Sequence, residues 1–152
     1  MLVNMSRFIH VQKVITEQIA EWFEELFNDI RINFNDDSRK NLHLPLYVEL
    51  NSIWEKHFSQ VNDVTFERVS QKASLLTALE KIEVKMVNGS KQSASLNYKE
   101  NPSLRVIAVG GLALSRGLTL EGLMVSYFYR NTATFDVLMQ MGRWFGYRRG
   151  YE

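Results

Sequence analysis

Cysteine is absent from the 152-residue chain, which excludes a disulfide scaffold and a cysteine-ligated zinc site and fits a reducing compartment, so a cytoplasmic location is expected. No apolar run approaches the roughly 20 residues of a membrane span. The opening residues MLVNMSRFIH lack the basic segment and long apolar stretch of a secretory signal. Three histidines, His10, His43 and His57, lie too far apart for the short spacing of metal ligands and are assigned structural or surface roles. There is also no excess of positive charge: the net charge is +1, so contact with nucleic acid would need a local patch. Nor does any Gly-Lys pair occur, which rules out a Walker A loop and strong binding of a nucleoside triphosphate by this chain alone. Internal repeats and low-complexity segments are missing as well.

What is present suffices for one ordinary domain over 1–152, with 45% apolar residues to build a core. The chain opens at once on an apolar segment, Leu2 to Met5, and stops a few residues after its last predicted helix, so a piece of a larger protein is expected. Asn4 and Ser6 are candidate caps for the first helix. From Val11 the apolar residues Val14, Ile15, Ile19, Trp22, Phe23, Leu26, Phe27 and Ile30 recur at helical spacing. The exposed face of that helix carries the acidic run from Glu17 to Asp37. A polar break at 35–41 reads as a surface loop. Pro45 suits a first helical turn, ahead of Tyr47, Leu50, Trp54 and Phe58, and residues 36–62 form a possible helical insertion. Asp63 and Thr65 are candidate caps of one helix running from Phe66 to Leu79. Ile82, Val84 and Met86 then alternate with Glu83 and Lys85 as a half-buried strand ending at Asn88-Gly89, and a polar loop leads to Pro102.

The last third organises the rest. Two apolar runs, 105–109 and 123–128, are short and rich in β-branched and aromatic residues, as strands covered on both faces are, and they are expected to be neighbours in a sheet. Between them stand Gly110, Gly111, Gly117 and Gly122. After them comes the cluster Asn131-Thr132-Ala133-Thr134, which suits a cap for a helix carrying Phe135, Leu138, Met141, Trp144 and Phe145. Alternating strands and helices predict an α/β sheet with helices on its faces, whose ligands sit beyond the carboxyl ends of the strands. The 110–122 loop would lie at that working edge. Its glycines either let backbone amides approach a phosphate or permit tight turns.

Charge type changes along the chain. Every basic residue from 100 onward is arginine (Arg105, Arg116, Arg130, Arg143, Arg148, Arg149), whereas all lysines precede it. A guanidinium grips phosphate oxygens with two donors at once, although arginine is also an ordinary surface residue. Trp144, Phe145 and Tyr147 could stack on bases, but helical spacing from Leu138 and Met141 favours a core role for the first two.

Two segments carry a family resemblance. Ser115-Arg116-Gly117-Leu118-Thr119 is similar to motif V of superfamily-two helicases, and Gln140-Met141-Gly142-Arg143 through Arg148 to motif VI. The whole ending, with the opening Leu-Val-Asn-Met-Ser-Arg-Phe, more closely resembles the bacterial Z-one domain, a family of proposed endonucleases linked to helicase-like ATPases. This resemblance implies a RecA-like three-layer α/β fold with a mostly parallel sheet and helices on both faces. The chain would be a C-terminal lobe, inactive when isolated. ATP and magnesium would be bound mainly by an N-terminal RecA-like lobe, and the nucleic-acid partner would be DNA, in restriction or phage defence. By motif position Arg143 is the leading arginine finger and Arg148 the second, with Gln140, Arg116, Gly117 and Thr119 near the nucleotide and Gly110, Gly111 and Ser115 near nucleic acid. The pattern departs from helicases in three places: Gln140 precedes Arg143 by three residues instead of four, four residues separate the two arginines instead of two, and Thr119 replaces a frequent Asp.

Two rival readings remain. Glu83 and Lys85 share one face of a strand, as metal-dependent nucleases of the Asp…Glu-x-Lys type require, with Asp63 upstream. Alternatively, the domain is a non-catalytic interaction module.

Overall fold

A computed structural model describes residues 1–6, 8–60, 63–87, 96, 104–111, 123–129 and 139. Strand β1 (Leu2–Asn4) leads into helix α1 (Ile9–Asn33), a 3-10 turn at Ser38–Asn41, then α2 (Pro45–His57), α3 (Phe66–Val69) and α4 (Lys72–Leu79). Three further strands complete the described elements, β2 (Ile82–Val87), β3 (Arg105–Gly110) and β4 (Ser126–Phe128). The chain divides into two compact units, one formed by residues 1–21 and 82–152, the other by 22–81.

In the first unit the strands make an all-parallel sheet in the order β2-β3-β1-β4. The class is therefore α/β, as the alternation of strands and helices predicts. The expected pairing of the two C-terminal apolar runs does not occur, because β1 lies between β3 and β4. All three residues of β1 are buried, as are Ala108 and Val109 of β3. The second run is less covered than predicted: its strand is only three residues long, and Met124, Val125 and Tyr127 are exposed. Being the outermost described strand on that side, β4 gains cover from one neighbour only. Leu2, Val87, Ala108 and Leu123 form the core, against which Leu96 and Phe128 pack. Leu96 is the one described residue of the stretch 88–103, where a polar loop was expected.

Helix α1 outlasts its expected bounds, and its covered side is narrower than the expected one: Ile15, Ile19, Phe23, Leu26, Phe27 and Ile30 are at least partly buried. Val11, Val14 and Trp22 are exposed, while Gln12 and Ile30, 18 residues and so five whole turns apart, are buried. The apolar residues of α1 thus cover one broad arc, of which Val11, Val14 and Trp22 form the uncovered margin.

The second unit is helical. Ile30, Phe34 and Tyr47 are its buried centre, with Leu50, Phe66, Leu75 and Leu79 among the residues packed around them. Tyr47 meets Phe66 edge-on at 5.2 Å and Phe34 at 6.1 Å. The polar break at 35–41 is less of a surface loop than expected. Asp37 caps the 3-10 turn, and Asn41 is buried with both amide atoms engaged, Nδ2 donating to the Asn35 carbonyl at 3.0 Å and Oδ1 accepting the Asn35 N–H at 2.7 Å. The single helix expected from Phe66 to Leu79 is two helices. The break falls at Ser70, which is buried and donates its hydroxyl to that of Tyr47 at 3.3 Å, while Thr65 begins α3 without a side-chain cap bond.

Candidate functional site at the carboxyl edge of the sheet

Parallel pairing aligns the strand ends. The register places Val87, Gly110, Asn4 and Phe128 in one row across the carboxyl edge. From β1 the chain crosses past β3 to reach β2, and from β3 it crosses past β1 to reach β4. The two connections leave adjacent strands in opposite directions, the arrangement that opens a crevice beyond the strand ends of open α/β sheets. That switch point lies between Gly110 and Asn4.

Its two sides differ chemically. On β3 the chain ends in Gly110 and then Gly111, both buried, so the edge there is bare backbone with no Cβ to fill the space. On β1 it ends in Asn4, 2% exposed, whose main-chain carbonyl accepts the Tyr129 N–H at 3.0 Å. The Asn4 Oδ1 atom is buried and has no hydrogen-bond partner among the described residues. Gln12, in the second turn of α1, repeats the pattern. Its Nε2 donates to the Ser6 carbonyl at 2.8 Å, leaving a buried Oε1 with no partner among the described residues. Leaving a buried acceptor unpaired costs about 1–3 kcal/mol. Both atoms are acceptors, so each matches an N–H or O–H group, not a phosphate oxygen.

Of the nine residues expected to form the site, Gly110 and Gly111 stand at the switch point. Ser115, Arg116, Gly117, Thr119, Gln140, Arg143 and Arg148 lie outside the described residues. So does the capped helix that was to carry the last two, except Met139, which is helical and exposed. Arg105 is described and does not join the edge. It opens β3 opposite Ile82, five residues and about 16 Å of strand from Gly110.

Sequence alone marks Asn4 as a helix cap and gives Gln12 no role. In the structure Ser6 alone plays the local part, its hydroxyl accepting the Phe8 N–H at 3.1 Å, while Asn4 closes the strand. A signal for Gln12 was present: it is polar at a position in phase with Ile19, Leu26 and Ile30.

Glu83 and Lys85 sit on one face of β2, as the strand period requires, with Lys85 Nζ 2.6 Å from Glu83 Oε2. Each thus neutralises the other, and among the described residues no group of three potential metal ligands occurs. No described helix is long and apolar enough to cross a membrane.

A parallel sheet with a glycine-bearing carboxyl edge at its switch point defines an open α/β domain, the class in which ligands sit beyond the carboxyl ends of the strands. The family model of the Z1 domain matches residues 1–152, and the chain belongs to the Z1, or Z-one, domain family. Comparison with curated proteins and with solved structures gives no match.

Proposed function

We propose that this Z1 domain is the C-terminal, RecA-like lobe of a helicase-like, nucleic-acid-dependent ATPase acting on DNA in bacterial restriction or phage defence. The observation that supports it best is the carboxyl edge: a buried Gly110-Gly111 pair, beside the central strand, leads directly into the segment similar to motif V. In this reading Arg143, assisted by Arg148, offsets charge that develops on the transferring phosphate, with Gln140 as a polar organiser. Arg116, Gly117 and Thr119 couple the nucleotide side of the edge to nucleic acid at Gly110, Gly111 and Ser115. ATP and magnesium are held mainly by an N-terminal lobe, consistent with the lack of a Gly-Lys pair here.

The test is ATP turnover by the intact protein with and without DNA. Arg143→Ala is expected to abolish the DNA-stimulated rate while circular dichroism stays unchanged. Wild-type turnover in that variant removes the finger assignment, and a protein that never hydrolyses ATP removes the ATPase reading.

A second reading, a metal-dependent endonuclease, draws support from the Glu83–Lys85 juxtaposition. Manganese-dependent nicking of plasmid that disappears in Glu83→Ala would establish it in place of the first.

A further inference from the structure

The helical unit contains a cleft of about 390 Å³ between the 3-10 turn and the starts of α3 and α4, and not one of its eight lining side chains is apolar. That volume suits a small molecule, while the lining excludes a lipid or an aromatic ring that needs an apolar floor.

Its charges are of both signs and only partly matched. Asp37 and Arg39 satisfy each other through two contacts, Nε to Oδ1 at 3.0 Å and Nη2 to Oδ2 at 3.1 Å. Arg39 also feels the Glu67 carboxylate, a smaller influence than Asp37 in raising its pKa. Among the described residues Asp36, Glu67 and Arg68, which share the cleft, have no ion-pair partner within 4.0 Å. Among the described residues two carboxylates and a guanidinium thus line one small space without a close ion-pair partner.

The neutral groups are uncommitted too. Thr65 and Gln71 begin α3 and α4, where a side chain usually bonds the first backbone amides, yet neither makes that bond. Ser38 lines the cleft, and its hydroxyl, which reaches solvent, has no hydrogen-bond partner among the described residues. A metal ion is a poor candidate, because no group of three potential ligands is found among the described residues.

We propose that this cleft binds a small zwitterion of the α-amino-acid class, with Arg68 receiving its carboxylate, Asp36 and Glu67 its ammonium, and the Ser38 hydroxyl a further hydrogen bond. The ligand supplies one charge of each sign, which is what Arg68 on one hand and Asp36 with Glu67 on the other lack. A phosphate would meet two carboxylates, and a simple amine would leave the guanidinium unmatched. The inference is independent of the ATPase reading, since every residue it uses lies within 36–71.

Titration of the 152-residue protein, labelled with nitrogen-15, with each of the common amino acids tests it. A subset is expected to shift the amides of 36–39 and 65–71 saturably, with a dissociation constant on the order of 1 mM. Acetate and methylammonium should bind at least roughly tenfold more weakly, and Arg68→Gln and Glu67→Gln should each weaken the best amino acid by about tenfold. Both residues are exposed, so both variants should melt with the wild type. Absence of saturable shifts at these amides for every amino acid overturns the proposal. So does binding that Arg68→Gln and Glu67→Gln leave unchanged.

Discussion

The two units each bury an asparagine, and the two are treated in opposite ways. Asn41 of the helical unit closes a loop, giving and receiving hydrogen bonds with Asn35. Asn4 of the sheet unit ends the central strand with its side-chain oxygen unpaired among the described residues. The first is a structural device, because its bonds satisfy the chain itself and hold the turn after α1. The second is an unmet demand at the one edge of the sheet where topology favours a ligand. The units also differ in how they are held together: the sheet joins residues from both ends of the described sequence, whereas the helical core is assembled from one continuous segment.

The largest effect that would break this comparison comes from the cores. Leu2→Ala empties a fully buried position on the central strand and should cost about 3 kcal/mol, read by urea unfolding. Loss of less than about 1 kcal/mol would mean that β1 does not anchor the sheet.

Asn4 gives the next largest effect, with the opposite sign. Asn4→Leu removes the orphan acceptor and should raise stability by about 1 kcal/mol, whereas Asn41→Leu, which breaks two satisfied bonds, should lower it by about 2 kcal/mol. Equal losses in both variants would erase the contrast drawn between them.

Tyr47→Phe removes the nearer acceptor of the buried Ser70 hydroxyl, leaving it the Glu67 carbonyl at 3.5 Å, and should cost about 1 kcal/mol, confined to the helical unit. Hydrogen exchange would show this as faster opening of α3 and α4 with the protection of β1 and β3 unchanged.

The smallest effect concerns Asp37, whose carboxyl the Arg39 side-chain hydrogen bond holds below the ordinary aspartate value. Its folded pKa is depressed, so its contribution is fully present above the unfolded value and is lost as pH falls through the folded one. Both groups are exposed, so Asp37→Asn should barely change the melting temperature at pH 7 and should flatten its dependence on pH only in the acid range.

Much of the local structure is legible in the sequence. The alternation of Ile82, Val84 and Met86 with charged residues marks β2, the run ending at Gly110 marks β3, and Pro45 marks the start of α2 within one residue. Each is a pattern that a few neighbouring residues carry by themselves. Thr65 misleads, because a residue suited to capping does not cap, and the single helix drawn from it ignores Ser70. That hydroxyl turns to Tyr47, 23 positions away, and no window on the sequence contains both.

The site divides the same way. The amino-acid sequence by itself determined the family, the glycine pair that ends β3 and the α/β class, since motif spacing and apolar periodicity are properties of contiguous residues. Only the tertiary structure decided that β1 lies between β3 and β4, that Asn4 and Gln12 are buried with no partner for their oxygens among the described residues, and that Asp36, Ser38 and Arg68 share one cleft. The physical reason is that parallel strands of similar apolar character can pair in several orders. Which order forms, and which polar groups it encloses, depends on contacts between residues more than a hundred positions apart, such as Leu2 with Ala108 and with Ser126.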